Sequence, residues 1–196
     1  MSNFTNKAFT KNDEWYTPHH AWEDIQHFIP RELTVCDPFY GDGTSGHSIR
    51  NLGFNTIHED VDFFTNNNLG DIIISNPPFS LIQKVMVRLF EIDLPFIMIM
   101  PSSKINTQYA SDWLGKGIQL IVPSKRINFV KKTEDGKVSD KKSSCNFDCF
   151  YYCYKMKLEK DIIRLPDKPL PNKPFVKLSK RKRSSDIDEE FQLNFC

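Results

Sequence analysis

An α/β protein built around one mainly parallel sheet is the fold class predicted for this chain, on three observations. Short apolar runs alternate with amphipathic stretches along most of its length. The first apolar run ends at a glycine-rich turn and is followed by a helical pattern, the beginning of a βαβ unit. A later run, Pro95 to Met100, is apolar throughout, as a strand covered on both faces must be.

The elements follow in order. Thr17-Pro18 predicts a helix start, with Thr17 as N-cap, Pro18 in the first turn, and Trp22, Ile25, Phe28 and Ile29 on one face. The stretch 34–39 reads as the first sheet strand, and 41–46 as the glycine-rich turn. A helix over 44–52 should stop at Gly53, which tolerates the left-handed backbone of a helix end. Residues 54–59 and 71–75 give two more strands. A helix from Ser80 carries Leu81, Ile82, Val85, Met86, Leu89 and Phe90 at 3.6-residue spacing. A strand over 95–100 and a helix over 106–114 come next. Segments 118–122 and 126–130 read as one interrupted strand, which 147–154 then pairs.

After Tyr154 the pattern fades into a proline-rich and then basic segment ending in Lys180-Arg-Lys-Arg183. The predicted organisation is one domain over 1–160 and a partly disordered tail over 161–196. A net charge of +1 supplies no global field for a polyanion, so nucleic-acid contact must come from local patches. The Lys-rich loop 131–144 and the tail are the candidates. No apolar run approaches a membrane span and no signal sequence opens the chain, so an intracellular location and no membrane partner are expected. The five cysteines lack zinc-knuckle spacing; reduced thiols and no metal site are expected.

Chemistry concentrates in Asn76-Pro77-Pro78-Phe79, directly after the apolar run 71–75. The prolines deny the backbone its donors and hold it extended. The elbow therefore offers one side-chain amide, carbonyl acceptors and an aromatic ring. Those groups suit a planar base with an exocyclic amine: the amide oxygen and a carbonyl each accept one amine hydrogen, and Phe79 stacks on the base.

The turn Gly41-Asp42-Gly43-Thr44-Ser45-Gly46 spells the dinucleotide pattern, yet Asp37 stands where pyrophosphate would approach. A carboxylate there repels phosphate and attracts a cationic amino-acid moiety such as that of S-adenosylmethionine. After the second strand, Asp60, or Glu59 beside it, is placed to accept hydrogen bonds from ribose hydroxyls. Asp62 and Phe63 would flank the adenine of the cofactor, with Phe63 on its face.

Together these residues resemble the S-adenosylmethionine-dependent methyltransferases that modify the exocyclic N6 amine of adenine in DNA, the short phage-type members above all. The resemblance spans roughly residues 13–154. It rests on Asp13-Glu-Trp-Tyr-Thr-Pro18, Asp37-Pro-Phe-Tyr-Gly-Asp-Gly43 and Asn76-Pro-Pro-Phe79, in that order. It implies a Rossmann-like class I methyltransferase fold, with a mainly parallel sheet and an antiparallel last strand. It assigns cofactor binding to Trp15, Tyr16, Thr17 and Pro18 and to Asp37, Phe39, Gly41 and Gly43. Asn76, Pro77, Pro78 and Phe79 become the catalytic element that holds the base. Arg126-Ile-Asn-Phe129 and Ser144-Cys-Asn-Phe147 resemble two further family elements, so Arg126, Phe129 and Phe147 join Phe79 as expected substrate contacts. A large inserted recognition domain, common in the family, has no counterpart here. DNA is the expected partner; RNA, or a non-catalytic nucleic-acid-binding role on the same fold, are the alternatives.

Overall fold

The computed structural model describes residues 15–131 and 147–167. A short strand β1 (Trp15–Tyr16) leads into helix α1 (His19–Glu23). Then come β2 (Val35–Cys36), α2 (Thr44–Asn51), β3 (Thr56–Ile57) and β4 (Ile72–Ser75). Helix α3 (Ile82–Ile92), β5 (Phe96–Pro101), α4 (Gln108–Gly115) and β6 (Gln119–Val122) follow. The last elements are β7 (Val130–Lys131), β8 (Cys149–Tyr154) and β9 (Ile162–Arg164).

Seven strands form one sheet in the order β3-β2-β4-β5-β8-β6-β9. All its pairings are parallel except the two made by β8, which runs against β5 on one side and β6 on the other. The fold is thus α/β with a mostly parallel sheet, as expected. β1 and β7 make a separate antiparallel ribbon.

Alternation of side chains explains the layers. Ile72, Ile74, Ile97, Ile99, Ile121 and Tyr151 join Ala21, Trp22, Ile25 and Ile49 of the α1–α2 side in one buried cluster. Ile73, Phe96, Met98, Met100, Leu120 and Tyr152 join Ile82, Val85, Met86 and Leu89 of α3 and Trp113 of α4 in the other. Both faces are covered, which is why β4 and β5 are apolar at every position up to Ser75 and Pro101. Each such aliphatic side chain contributes about 1.5–3 kcal/mol through burial. The two buried tyrosines keep a partner for their hydroxyls, Tyr151 donating to the Ala21 carbonyl at 2.9 Å and Tyr152 to that of Pro101 at 3.0 Å.

Four sequence expectations are corrected. The helix starts at His19, with Pro18 in extended backbone (ψ 149°) as its N-cap, and Thr17 makes no side-chain cap. That helix ends at Glu23, and a 3-10 turn over Gln26–Phe28 carries the rest of the apolar face. Segment 126–130 does not continue β6. Pro123 removes a ladder donor after Val122, and the chain leaves the sheet to pair Val130 with Tyr16 and Lys131 with Trp15. Finally, the boundary at residue 160 falls short: β9 pairs in parallel with β6, and Leu165 is buried. A three-residue strand carries too little periodicity to read alone. Residues 168–196 and the loop 132–146 lie outside the described residues, and so do the tail and loop expectations.

Among the described residues, no helix is long and apolar enough to cross a membrane, and no group of three or more His, Cys, Asp and Glu is placed to hold a metal. Cys36, Cys149 and Cys153 are buried free thiols. Burial, with the charges of Asp37 and Glu59, pushes the Cys36 thiol up to about 12.

Candidate functional site

The chain runs from β2 through α2 to β3 on one side, while β4 lies on the other side of β2. The carboxyl ends of β2 and β4 therefore flank a topological switch point, where open α/β sheets form their crevice. Asp37 follows β2, Ser75 ends β4, and Asn76 comes directly after it.

Asp37 is 1% exposed, and its carboxylate ties four elements together. The Ser45 hydroxyl of α2 donates to Oδ2 at 2.5 Å, and the Ser75 hydroxyl of β4 donates to Oδ1. His58, just after β3, places Nδ1 2.8 Å from the Asp37 carbonyl and 3.3 Å from Oδ2. A carbonyl only accepts, so Nδ1 carries the proton. Burial pushes the Asp37 carboxyl upward, opposed by His58 and then by the two serine hydroxyls. This corrects the expectation that Asp37 faces a ligand ammonium: its oxygens are occupied within the chain, and it positions the glycine turn instead.

The turn itself is tight. Gly41 and Gly43 have φ of +58° and +83°, values that favour glycine. A Cβ on Gly46 would lie 2.2 Å from the His58 ring, so residue 46 must be glycine for His58 to pack there. Tyr40 stacks on that ring, with centroids 4.8 Å apart. The Asp42 carboxylate caps α2 from outside, accepting from Thr44 N at 3.1 Å and Thr44 Oγ1 at 2.6 Å. That negative charge occupies the position a phosphate would take at a helix N-terminus.

Glu59 and Asp60 are exposed beyond β3, on the same edge as the turn. Asp62 turns the next loop, its Oδ1 accepting from Phe64 N at 2.9 Å. Phe63 is 1% exposed and packs on Phe39 (5.1 Å) and Phe64 (5.5 Å). The expectation that Phe63 lies on a cofactor face is therefore corrected: it is core, and Phe39 is half-buried against it.

The second half of the site surrounds Asn76. Its Nδ2 donates to the Trp15 carbonyl at 3.4 Å, while its Oδ1 is buried and has no hydrogen-bond partner. Pro77 and Pro78 are buried, and Phe79 is half-buried. The Phe79 ring meets Phe147 edge-on at 5.1 Å and Phe129 at 6.4 Å. Phe147 in turn touches Phe129 at 5.4 Å and Trp15 at 5.9 Å. The Lys131 ammonium sits 5.9 Å from the Trp15 ring.

Two expected substrate contacts take other tasks. Arg126 pairs with Asp148 at 2.9 Å and donates to the Phe147 carbonyl at 3.2 Å, so it holds Phe147 in place. Phe129 is buried behind the ring cluster. Phe79 and Phe147 remain the rings at the surface of the nest.

The three motifs meet through β1. A Cβ on Gly41 would lie 3.9 Å from the Tyr16 ring, and Trp15 reaches Asn76. Thr17 and Pro18 are half-buried beside them. His58, Ser45 and Ser75 were not assigned from sequence. The lone polar residue at the end of the run Ile72–Ser75 was the legible signal for Ser75; His58 had none. A scan against protein-family models finds no match, and a search of curated proteins finds none.

Proposed function

We propose that this chain is an S-adenosylmethionine-dependent methyltransferase acting on the exocyclic N6 amine of adenine in DNA. The observation that carries the reading is the buried, unpartnered Oδ1 of Asn76, set beside a nest of aromatic rings and one residue from the Asp37 knot. A buried amide oxygen without a donor costs about 1–3 kcal/mol, a cost that a donor on the substrate removes. The sheet order, with antiparallel β8 between β5 and β6, supports a class I methyltransferase fold.

The residues around the glycine turn fit the cofactor. Asp42 at the start of α2 disfavours a phosphate-bearing ligand, whereas S-adenosylmethionine has none. The Gly41–Gly43 turn and Tyr16 would line its amino-acid end, and Glu59 or Asp60 its ribose. When bound, it supplies an electrophilic methyl group on a sulfonium.

The chain's own residues prepare the amine. Its lone pair is delocalised into the ring. Accepting one hydrogen on Asn76 Oδ1 and the other on the Pro77 carbonyl localises that pair toward the methyl donor. Phe79 holds the base plane, and stacking of this kind is worth roughly 1–3 kcal/mol per base. In a duplex the base must first leave the stack, at a few kcal/mol. Positioning and electrostatics carry the rate, and the proton departs after transfer without a strong base.

The test is incubation with labelled S-adenosylmethionine and a panel of DNA and RNA, read by nucleoside mass spectrometry. N6-methyladenine in DNA is the expected product. Product confined to RNA moves the substrate; binding of the cofactor with no product on any nucleic acid overturns the reading.

A further inference from the structure

A side-chain amide has two nearly isosteric ends, and only one of them can receive the hydrogen of an amine. If Asn76 presented Nδ2 to the base, donor would face donor. Something in the protein must therefore choose the orientation. The prolines at 77 and 78 have no N–H to offer, and the neighbouring rings of Phe79, Phe129 and Phe147 have no acceptor for an amide. The Trp15 carbonyl, 3.4 Å from Nδ2, is an acceptor only. It takes the NH₂ end and leaves Oδ1 pointing away, buried and unpartnered.

That carbonyl is itself held. Trp15 pairs with Lys131 and Tyr16 with Val130 in the β1–β7 ribbon. The Trp15 ring is fixed by the edge of Phe147, with Lys131 over it. The same two-residue strand places Tyr16 against Gly41 of the glycine turn.

We infer that Trp15 is a positioning residue for the methyl transfer proposed above: its backbone carbonyl locks the Asn76 amide with Oδ1 toward the substrate amine. The N-terminal strand is thus a shared part of both halves of the site. It touches the cofactor turn with one residue and orients the base-holding amide with the preceding one. This inference rests on the proposed reaction, but the lock itself is a property of the unliganded protein.

The substitution that separates the lock from the acceptor is Asn76→Asp. It keeps the shape and the acceptor oxygens and removes the donor toward Trp15. The charged groups on the surrounding elements are Asp37, bonded to Ser75, Lys131 at the Trp15 ring, and the Arg126–Asp148 pair beside Phe147. At neutral pH the introduced carboxylate faces a carbonyl, and turnover should fall by about 10²-fold, with the dissociation constant for S-adenosylmethionine unchanged within about twofold. A protonated carboxyl has one O–H donor and one C=O acceptor, and so reproduces the amide. Turnover of the variant relative to wild type on an adenine-containing oligonucleotide should therefore rise as pH is lowered, by about tenfold per unit until the carboxyl has titrated. A ratio that stays near one, or that does not rise in acid, overturns the lock.

A second measurement needs no reaction. In the free wild-type protein, NMR should show hydrogen exchange slowed on the Asn76 side-chain amide proton bonded to Trp15. Rapid exchange of both protons overturns the inference. If wild type methylates nothing, the proposed function fails, and the NMR result alone decides the lock.

Discussion

The two halves of the site treat their polar groups in opposite ways. Around Asp37, both carboxylate oxygens and the carbonyl are taken by Ser45, Ser75 and His58, and among the described residues His58 Nε2 is the buried atom there that finds no partner. Around Asn76, the amide is half used, and the acceptor end is left buried without a donor. A closed network stiffens the backbone it joins, whereas a buried acceptor without a donor is free to take one from a ligand. The difference separates a network closed within the chain from a site with an acceptor to spare, and both sit at the ends of adjacent strands β2 and β4.

The sharpest way to break this contrast is Asn76→Ala. Methyl transfer should fall by about 10²–10³-fold, because the lost acceptor acts on charge that develops in the transition state. Thermal stability should change little, since the buried unpaired acceptor is removed together with the Nδ2 bond to the Trp15 carbonyl. Near-wild-type turnover would place the chemistry elsewhere.

On the other side of the contrast, Gly46→Ala should destabilise by about 1–3 kcal/mol, since its Cβ would meet the His58 ring at 2.2 Å. His58→Ala should make room, so the double variant should lose less than the two single losses summed. Chemical denaturation of the four proteins measures the coupling. Strict additivity would mean that His58 does not fill that gap.

Asp37→Asn tests how the knot responds to pH. Burial raises the Asp37 carboxyl above its unfolded value. The folded state then binds the proton more tightly, so stability falls as pH climbs from the ordinary carboxylate range through the raised folded value. The variant keeps an acceptor but cannot ionise. Its melting temperature should lose that part of the pH slope, and an unchanged slope would assign it to other groups.

The smallest effect is expected at Arg126→Gln. The pair with Asp148 is largely exposed and should contribute no more than about 1 kcal/mol to stability. Its consequence should show in the substrate instead: with Phe147 no longer tethered, the KM for nucleic acid should rise while cofactor affinity stays put. An equal loss of both would contradict the tether.

How much of this was legible depends on whether a signal was local. Gly53 as the stop of α2 was, because a left-handed residue just past a helix end (φ +87°) favours glycine whatever the helix packs on. So was the buried face of α3, where Ile82, Val85, Met86 and Leu89 repeat at helical spacing. Phe63 was not: an aromatic after an acidic loop reads the same whether it faces a ligand or the core, and the packing of Phe39 and Phe64 decides. Arg126 likewise reads as a free cation until Asp148, 22 positions along the chain, is brought beside it.

Local residue patterns were enough for the α/β class, the glycine turn after the first sheet strand and the Asn-Pro-Pro-Phe elbow after β4. Each depends on residues within a few positions of one another, where proline, glycine and periodicity act directly on the backbone. Long-range packing makes Asp37 a buried tie between elements, takes β7 out of the sheet to pair with β1, and brings the Trp15 carbonyl to Asn76. Those outcomes depend on which distant groups the sheet order brings within a hydrogen bond. A partner 61 residues away leaves no mark in the local pattern of either residue.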